Sequence, residues 1–196
     1  MNPDQSISFS APLRTVFLDR DGVLNRKLPE DNYVTCWEEF SLLPGVPEAI
    51  ARLNAAGLLT VVVTNQRGVA RGRSTLAGVE AVHERLQQEL AAYGAHLDGF
   101  FICPHDKKQC DCRKPLPGLF HQAQQRFPQI EAVTSLMIGD SLGDIEFGRI
   151  LGMQTICVAA GEHPSPAAEE AAKLATARAG SLAEAVDLLL RGLKAE

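Results

Sequence analysis

Three short polar segments each follow an apolar run in this chain. Asp19-Arg20-Asp21-Gly22 follows Thr15–Leu18, Thr64-Asn65-Gln66 follows Thr60–Val63, and Asp140 follows Ser135-Leu136-Met137-Ile138 and Gly139. Two carboxylates one residue apart can share a hard cation, and Asp140 offers a third oxygen ligand. Few carboxylates with open coordination positions suit Mg²⁺, which keeps waters and takes phosphate oxygens. An aspartate can also attack phosphorus and carry the phosphoryl group as an aspartyl-phosphate. The obstacle is repulsion, about 4 kcal/mol between like unit charges about 4 Å apart at an effective dielectric near ~20. The cation and the Lys114 ammonium offset it. The Thr64 hydroxyl and the amides after it are placed to hold the remaining phosphoryl oxygens.

A second constellation is made of nitrogen and sulfur. Cys103, His105, Cys110 and Cys112 follow a C-x-H-x₄-C-x-C pattern, four ligands from one short loop. That is a closed tetrahedral set, so it predicts a structural Zn²⁺ with no open position for water. Cysteines number five, an odd count, and the start Met1-Asn2-Pro3-Asp4-Gln5-Ser6 lacks the basic and apolar regions of a secretory signal. Both points favour a metal over a disulfide framework. Fixing this loop would fix Arg113 and Lys114, which follow it immediately. Cys157, in the apolar run Thr155–Ala159, reads as a small buried hydrophobe.

The elements that must position these groups alternate. Apolar β-rich runs at Thr15–Leu18, Thr60–Val63, Phe100–Ile102, Ser135–Ile138 and Thr155–Ala159 are separated by helical periodicity. One helix fits Pro47 to Ala56, stopped by Gly57. A longer one after Ser74 carries Leu76, Val79, Val82, Leu86, Leu90 and Tyr93 at spacings of three and four, closed by Gly94. Continuous apolar strands are covered on both faces, which predicts an α/β three-layer sandwich around a mostly parallel, Rossmann-like sheet. In such sheets ligands bind beyond the carboxyl ends of the strands, where all three polar segments fall. The chain is expected to be one domain over 1–196, with a small zinc-binding loop at 103–112, no large cap, and C-terminal packing helices over about 166–194. There Ser181 and Glu184 suggest a capping box.

Composition narrows the classes. Lys and Arg total 19 against 24 Asp and Glu, a net charge of −5, with 45% hydrophobic and 22% charged residues. Mean hydropathy of −0.04 and a pI near 5.6 are ordinary globular values and argue against a broad nucleic-acid surface. No apolar run approaches the ~18 residues of a membrane span. The protein is expected to be a cytoplasmic monomer with no nucleic-acid or membrane partner.

The segment Asp19-Arg20-Asp21-Gly22-Val23-Leu24-Asn25 resembles the first motif of the haloacid dehalogenase superfamily of phosphotransferases. Thr64 matches its second motif, Lys114 its third, and Gly139-Asp140-Ser141-Leu142-Gly143-Asp144 its fourth, in order between about residues 13 and 160. The stretches Thr64-Asn65-Gln66-Arg67-Gly68-Val69-Ala70-Arg71-Gly72 and Cys110-Asp111-Cys112-Arg113-Lys114-Pro115 look like those of the D-glycero-D-manno-heptose 1,7-bisphosphate 7-phosphatases. The resemblance implies Mg²⁺-dependent hydrolysis of the 7-phosphate through an aspartyl-phosphate, in nucleotide-activated heptose synthesis. It implies Asp19 as nucleophile and Asp21 as general acid and base. Mg²⁺ would be held by Asp19, the Asp21 carbonyl and Asp140. Thr64 and Lys114 would steady the phosphoryl group, with Asn65, Gln66 and Arg113 on the substrate. Arg67 stands where the family usually has a small residue, and Gly143 where relatives often carry Arg or a polar residue.

Several residues have plainer readings. Asp144 is expected to act behind the metal ligands rather than among them. His83, beside the apolar stripe of the long helix, reads as an ordinary helix residue, and His96, His121 and His163 as structural. Arg20, Arg26, Lys27, Arg67, Arg71, Arg73, Arg113 and Lys114 flank the motifs and predict a local positive field suited to two phosphates. Tyr33 is expected to line the substrate mouth. Two rival functions remain: a histidinol-phosphate phosphatase, whose family shares the zinc loop and the Thr-Asn-Gln segment, and a non-catalytic phosphoryl-binding regulatory module.

Overall fold

Six strands make one parallel sheet: β1 (Thr15–Leu18), β2 (Leu59–Asn65), β3 (Gly99–Cys103), β4 (Ser135–Gly139), β5 (Gln154–Val158) and β6 (Ala177–Ala179). Their spatial order is β3-β2-β1-β4-β5-β6. The structure, a computed structural model, describes residues 12–29, 31–158 and 166–194. Met1–Ser6, Ala159 and His163, named above, lie outside them. The helices are α1 (Val46–Ala55), α2 (Arg67–Ala70), α3 (Leu76–Ala91), α4 (Gly118–Arg126), α5 (Leu142–Leu151), α6 (Pro166–Leu174) and α7 (Leu182–Lys194).

Strand side chains alternate between two apolar layers, as the period of two requires. Val16, Leu18, Val62, Leu136 and Ile138 join one core with Ile50 of α1, Leu86 of α3 and Val186 of α7. Phe17, Val61, Val63 and Met137 join the other with Phe120 of α4 and Phe147 of α5. Phe17 is wedged between Phe120 and Phe147, at ring-centroid distances of 5.8 and 6.4 Å. Truncating such a residue to Ala costs about 3–5 kcal/mol. The expected α/β sandwich is therefore present, and the apolar runs are covered on both faces.

Strand order reverses at β1, which pairs with β2 on one side and β4 on the other. Leu18 lies level with both Val62 and Ile138. The next amide, that of Asp19, still bonds to the Ile138 carbonyl at 2.9 Å. The segments following β1, β2 and β4 thus emerge side by side at a topological switch point, where open α/β sheets place their ligands.

Local details differ from expectation at four places. α1 begins one residue early, with Pro47 in its first turn after Gly45 at φ 74°. The predicted stripe frays at both ends: Leu76, the first residue of α3, and Tyr93, beyond its end, are 41% and 53% exposed, while Val79, Val82, Leu86, Leu90 and His83 are buried. The C-terminal segment is broken by β6, which is too short to leave a period in the sequence. The Ser181 hydroxyl accepts from the Glu184 amide at 3.2 Å, as a capping box requires, but the Glu184 carboxylate accepts from the Gly180 amide at 2.7 Å, one residue before the position the box would use. Among the described residues no helix is long and apolar enough to cross a membrane.

Candidate active site

The switch point gathers a buried cluster of opposite charges. Asp19 directly follows β1 and is 8% exposed, Thr64 near the end of β2 is 1% exposed, and Lys114 is 5% exposed. The Lys114 Nζ donates to Asp19 Oδ1 at 2.8 Å, to Asp144 Oδ1 at 2.5 Å and to the Val63 carbonyl at 2.6 Å. Its backbone is held by the Asn65 side chain. The Asn65 carboxamide accepts from the Lys114 amide at 3.0 Å and donates to its carbonyl at 3.2 Å. One carboxamide thereby imitates a strand neighbour and registers the loop after the cysteines against β2.

Charge balance in this cluster is strained on the acidic side. Burial, with repulsion from Asp144, pushes Asp19 up to about 7 despite the nearby Lys114. Burial also raises Asp140 above its ordinary value, against the pull of Lys27. Lys114 is held above the usual lysine range because Asp144 and Asp19 outweigh its desolvation. Lys27 donates to Asp140 Oδ2 at 2.6 Å. The other oxygen, Asp140 Oδ1, is buried with no hydrogen-bond partner.

Two glycines make room for this packing. Gly22 has φ +97°, and a Cβ there would strike the Asp140 carboxyl. A Cβ on Gly139 would likewise collide with Asp144. Asp144 does two jobs at once. Its Oδ2 accepts from the Ser141 amide at 3.1 Å and the Ser141 hydroxyl at 2.6 Å, capping α5, while its Oδ1 binds Lys114.

Asp21 is turned into a different network. Arg20 donates to it from Nε at 3.3 Å and from Nη2 at 2.9 and 3.0 Å. Asn25 donates to Oδ1 at 3.0 Å and Gln66 to Oδ2 at 2.9 Å. Burial pulls the Asp21 pKa upward, but Arg20 and these hydrogen bonds win and hold it below the ordinary carboxylate range. Gln66 also donates to Thr64 Oγ1 at 2.8 Å. The side chains of Asn65 and Gln66, expected on the substrate, are thus engaged with Lys114, Asp21 and Thr64. Arg20 is a further correction. At 1% exposure and committed to Asp21, it adds nothing to a surface field.

These groups line a cavity of about 300 Å³, walled by the β1–α1 loop, the segment after β2, the residues just after the cysteine loop and the start of α5. Lys27, Tyr33, Arg67 and Arg113 face it alongside Asp19 and Thr64. Tyr33 packs on Gly68, where a Cβ would come within 2.8 Å of the ring. Much of the expected positive field is paired. Arg67 bonds Asp106 at 2.5 Å, and Arg71 bonds Asp31 at 2.6 Å. Arg113 reaches back to the His105 carbonyl at 3.4 Å. Lys27 and His83 are the residues whose partners the sequence did not disclose.

Both metal sites fit the donors present. Asp19, Asp140 and Asp144 place carboxylate oxygens within 4.8 Å of one another. The orphaned Asp140 Oδ1 and the two raised carboxyls mark a deficit of positive charge that a hard cation would fill. The Asp21 carboxylate is outside this group, which leaves its backbone carbonyl as the ligand it can offer. In the cysteine loop, Sγ of Cys103 lies 3.6 Å from Sγ of Cys110 and 3.8 Å from Nδ1 of His105, and His105 Nδ1 is 3.3 Å from Cys112 Sγ. A tetrahedron with Zn–S near ~2.3 Å and Zn–N near ~2.0 Å has edges of about 3.5–3.8 Å. Cys103 is also the last residue of β3, so the cluster is anchored in the sheet.

Residues 111–185 match the model of the HAD-hydrolase-like family. A D-glycero-alpha-D-manno-heptose-1,7-bisphosphate 7-phosphatase of Mycobacterium bovis is 46% identical over 132 residues, 67% of this chain and 69% of the relative. A D-glycero-beta-D-manno-heptose-1,7-bisphosphate 7-phosphatase of Pseudomonas aeruginosa is 40% identical over 148 residues, 75% of this chain and 82% of the relative. The crystal structure of D,D-heptose 1,7-bisphosphate phosphatase from B. bronchiseptica, complexed with magnesium and phosphate, superposes with a TM-score of 0.79 at 32% identity. It covers 91% of this chain and 99% of that one.

Proposed function

The chain belongs to the haloacid dehalogenase-like phosphatases, within the heptose-1,7-bisphosphate 7-phosphatase family, and from that premise we propose that it hydrolyses the 7-phosphate of D-glycero-D-manno-heptose 1,7-bisphosphate. The observation that carries the reading is the Asp19 carboxyl, held at the switch point by Lys114 beside the unpartnered oxygen of Asp140. Asp19 attacks phosphorus, forming a P–O bond as the bond to the sugar oxygen breaks. Asp21 gives that oxygen its proton, then takes one from the water that cleaves the aspartyl-phosphate, and so ends as it began. Its low resting pKa favours the second half, and the negative charge of an arriving phosphate works in the opposite sense and favours the first. The Thr64 hydroxyl and the Lys114 ammonium hold phosphoryl oxygens, while Arg113 is the substrate contact set by the cysteine loop. Asp19, Asp140 and the Asp21 carbonyl would hold Mg²⁺, which supplies charge neutralisation for the phosphoryl oxygens. Zn²⁺ on Cys103, His105, Cys110 and Cys112 would fix the loop carrying Arg113 and Lys114.

The same reading makes the protein a single-domain cytoplasmic monomer acting on a small phosphorylated sugar, without nucleic-acid or membrane partners. Five unpaired cysteines, three of them at the end of β3 and in the loop after it, support a reducing compartment. The test is a kinetic comparison, with Mg²⁺, of both heptose bisphosphate anomers against histidinol phosphate. The expected result is a preference for one bisphosphate anomer, abolished in Asp19→Asn without change in circular dichroism. Preference for histidinol phosphate would assign the rival activity, and no phosphate release from any substrate would leave a phosphoryl-binding module.

A further inference from the structure

Behind Asp21 the network continues into the core. Arg20 is 1% exposed, and its guanidinium lies over the Phe40 ring at 5.9 Å. Its Nε and Nη2 are used on Asp21, and Nη2 also on Gln66 Oε1 at 3.2 Å. The remaining arm, Nη1, lies 3.4 Å from His83 Nε2 on α3, 63 residues away in sequence. A guanidinium has only donors, so this contact requires His83 Nε2 to be the acceptor. The proton of the neutral ring must then be on Nδ1. That atom is buried and has no hydrogen-bond partner. An orphaned buried donor costs about 1–3 kcal/mol. An apolar ring stacked on Phe100, as His83 is at 4.3 Å and 15°, would avoid that cost. The histidine therefore earns its place through Nε2. Burial and the adjacent Arg20 push its pKa down to about 3, so the acceptor lone pair persists at neutral pH.

We infer that Arg20 and His83 are positioning residues that lock the Asp21 carboxylate for proton transfer to the leaving oxygen. Oδ1 of Asp21 takes three donors and Oδ2 two, which leaves Oδ2 the atom better able to exchange a proton. Without the His83 acceptor, Nη1 is unsatisfied and the guanidinium is free to turn, taking the carboxylate with it. His83 does not line the cavity and Arg20 reaches its wall at only 1% exposure, so their influence falls on the steps that need the Asp21 proton. The inference rests on the acid role proposed for Asp21.

Single-turnover kinetics with two leaving groups tests it. The heptose bisphosphate needs a proton on departure, whereas p-nitrophenyl phosphate releases a stable phenolate. In His83→Leu, phosphoryl transfer from the sugar should slow at least about tenfold more than nitrophenolate release, within the ~10²–10⁴ that general acids supply. His83→Gln, whose amide oxygen accepts, should restore most of the loss. Equal losses on both substrates, or none, would overturn the inference. Asp21→Asn separates the two levels. If it too shows no leaving-group dependence, the acid role itself fails, whereas dependence in Asp21→Asn but not His83→Leu refutes only the relay. Should His83→Leu not fold, ¹⁵N spectra of histidine-labelled wild type decide. They should show a neutral His83 protonated on Nδ1; protonation on Nε2 refutes the geometry.

Discussion

Replacing Lys114 by Met removes one ammonium and keeps the length of the side chain. The wild-type Nζ is 2.8 Å from Asp19 and 2.5 Å from Asp144. At an effective dielectric near ~20 each contact is a gross attraction of about 6 kcal/mol, most of it offset by desolvation. Removing one partner of a buried pair leaves a net cost of about 3–5 kcal/mol, a large part of a typical ~5–15 kcal/mol total. The cost should depend on pH, because the abandoned carboxyls can escape by protonation. Asp19 already stands near 7 with the lysine present. Without it the folded-state value rises further above the unfolded 3.8, so the folded variant binds more protons than the unfolded chain. Stability of Lys114→Met therefore falls as pH rises through that value and recovers as pH drops. Urea unfolding of both proteins in chelator, at about pH 8 and about pH 5.5, should give the full ~3–5 kcal/mol at the higher pH and visibly less at the lower. Equal destabilisation at both pH values would refute the account of the cluster as carboxylates held by one cation. Turnover should also fall by about 10²–10³, the usual loss on removing one preorganised donor.

Gly22→Ala, with φ +97° and the Asp140 carboxyl in the way, should cost at least about 1–3 kcal/mol and weaken Mg²⁺ binding measured by calorimetry. Unchanged affinity would show that the two segments are not in contact. Serine at both Cys110 and Cys112 should remove bound zinc, seen by elemental analysis, and lower Tm by about 5 °C or more, given ~2–4 °C per kcal/mol at this size. Zinc-free wild type of undiminished Tm would contradict the loop's assignment. His83 titrates near 3 folded and near 6.5 unfolded, so the folded state binds fewer protons between them. Its contribution is complete above about 6.5 and lost on acidification, about 2 kcal/mol by about pH 5. The slope of unfolding free energy over that range should be shallower in His83→Gln, and identical slopes would place the titration elsewhere.

The sheet and the carboxylates at its edge were legible in sequence because both are local signals. Four-residue apolar runs announce strands covered on both faces, and polar residues directly after them mark a single edge. The cysteine loop was readable for the same reason, four ligands within ten residues. What the sequence concealed depends on pairings between distant residues. His83 sits on an apolar stripe, where its spacing is that of any core position, and nothing local says that Arg20 lies beside it. Arg20 itself, flanked by two aspartates, looks like surface charge until the turn at Gly22 buries it. Asn65 and Gln66 were placed in the right segment, but only the approach of Lys114 and Asp21 reveals which atoms occupy their amides. The strand β6 is three residues long and carries no period at all.

The double duty of Asp144 bears on how this scaffold can be altered. Its two oxygens tie the start of α5 to the ammonium of Lys114, so a change at 144 disturbs the helix and the charge cluster together. The preceding position is different: a Cβ on Gly143 would meet the Lys114 carbonyl at an ordinary 3.6 Å. A library that randomises 143 while holding 144 would vary the segment between the cavity-lining Ser141 and Asp144 at little structural risk, and that is where a designer seeking new sugar preferences should begin.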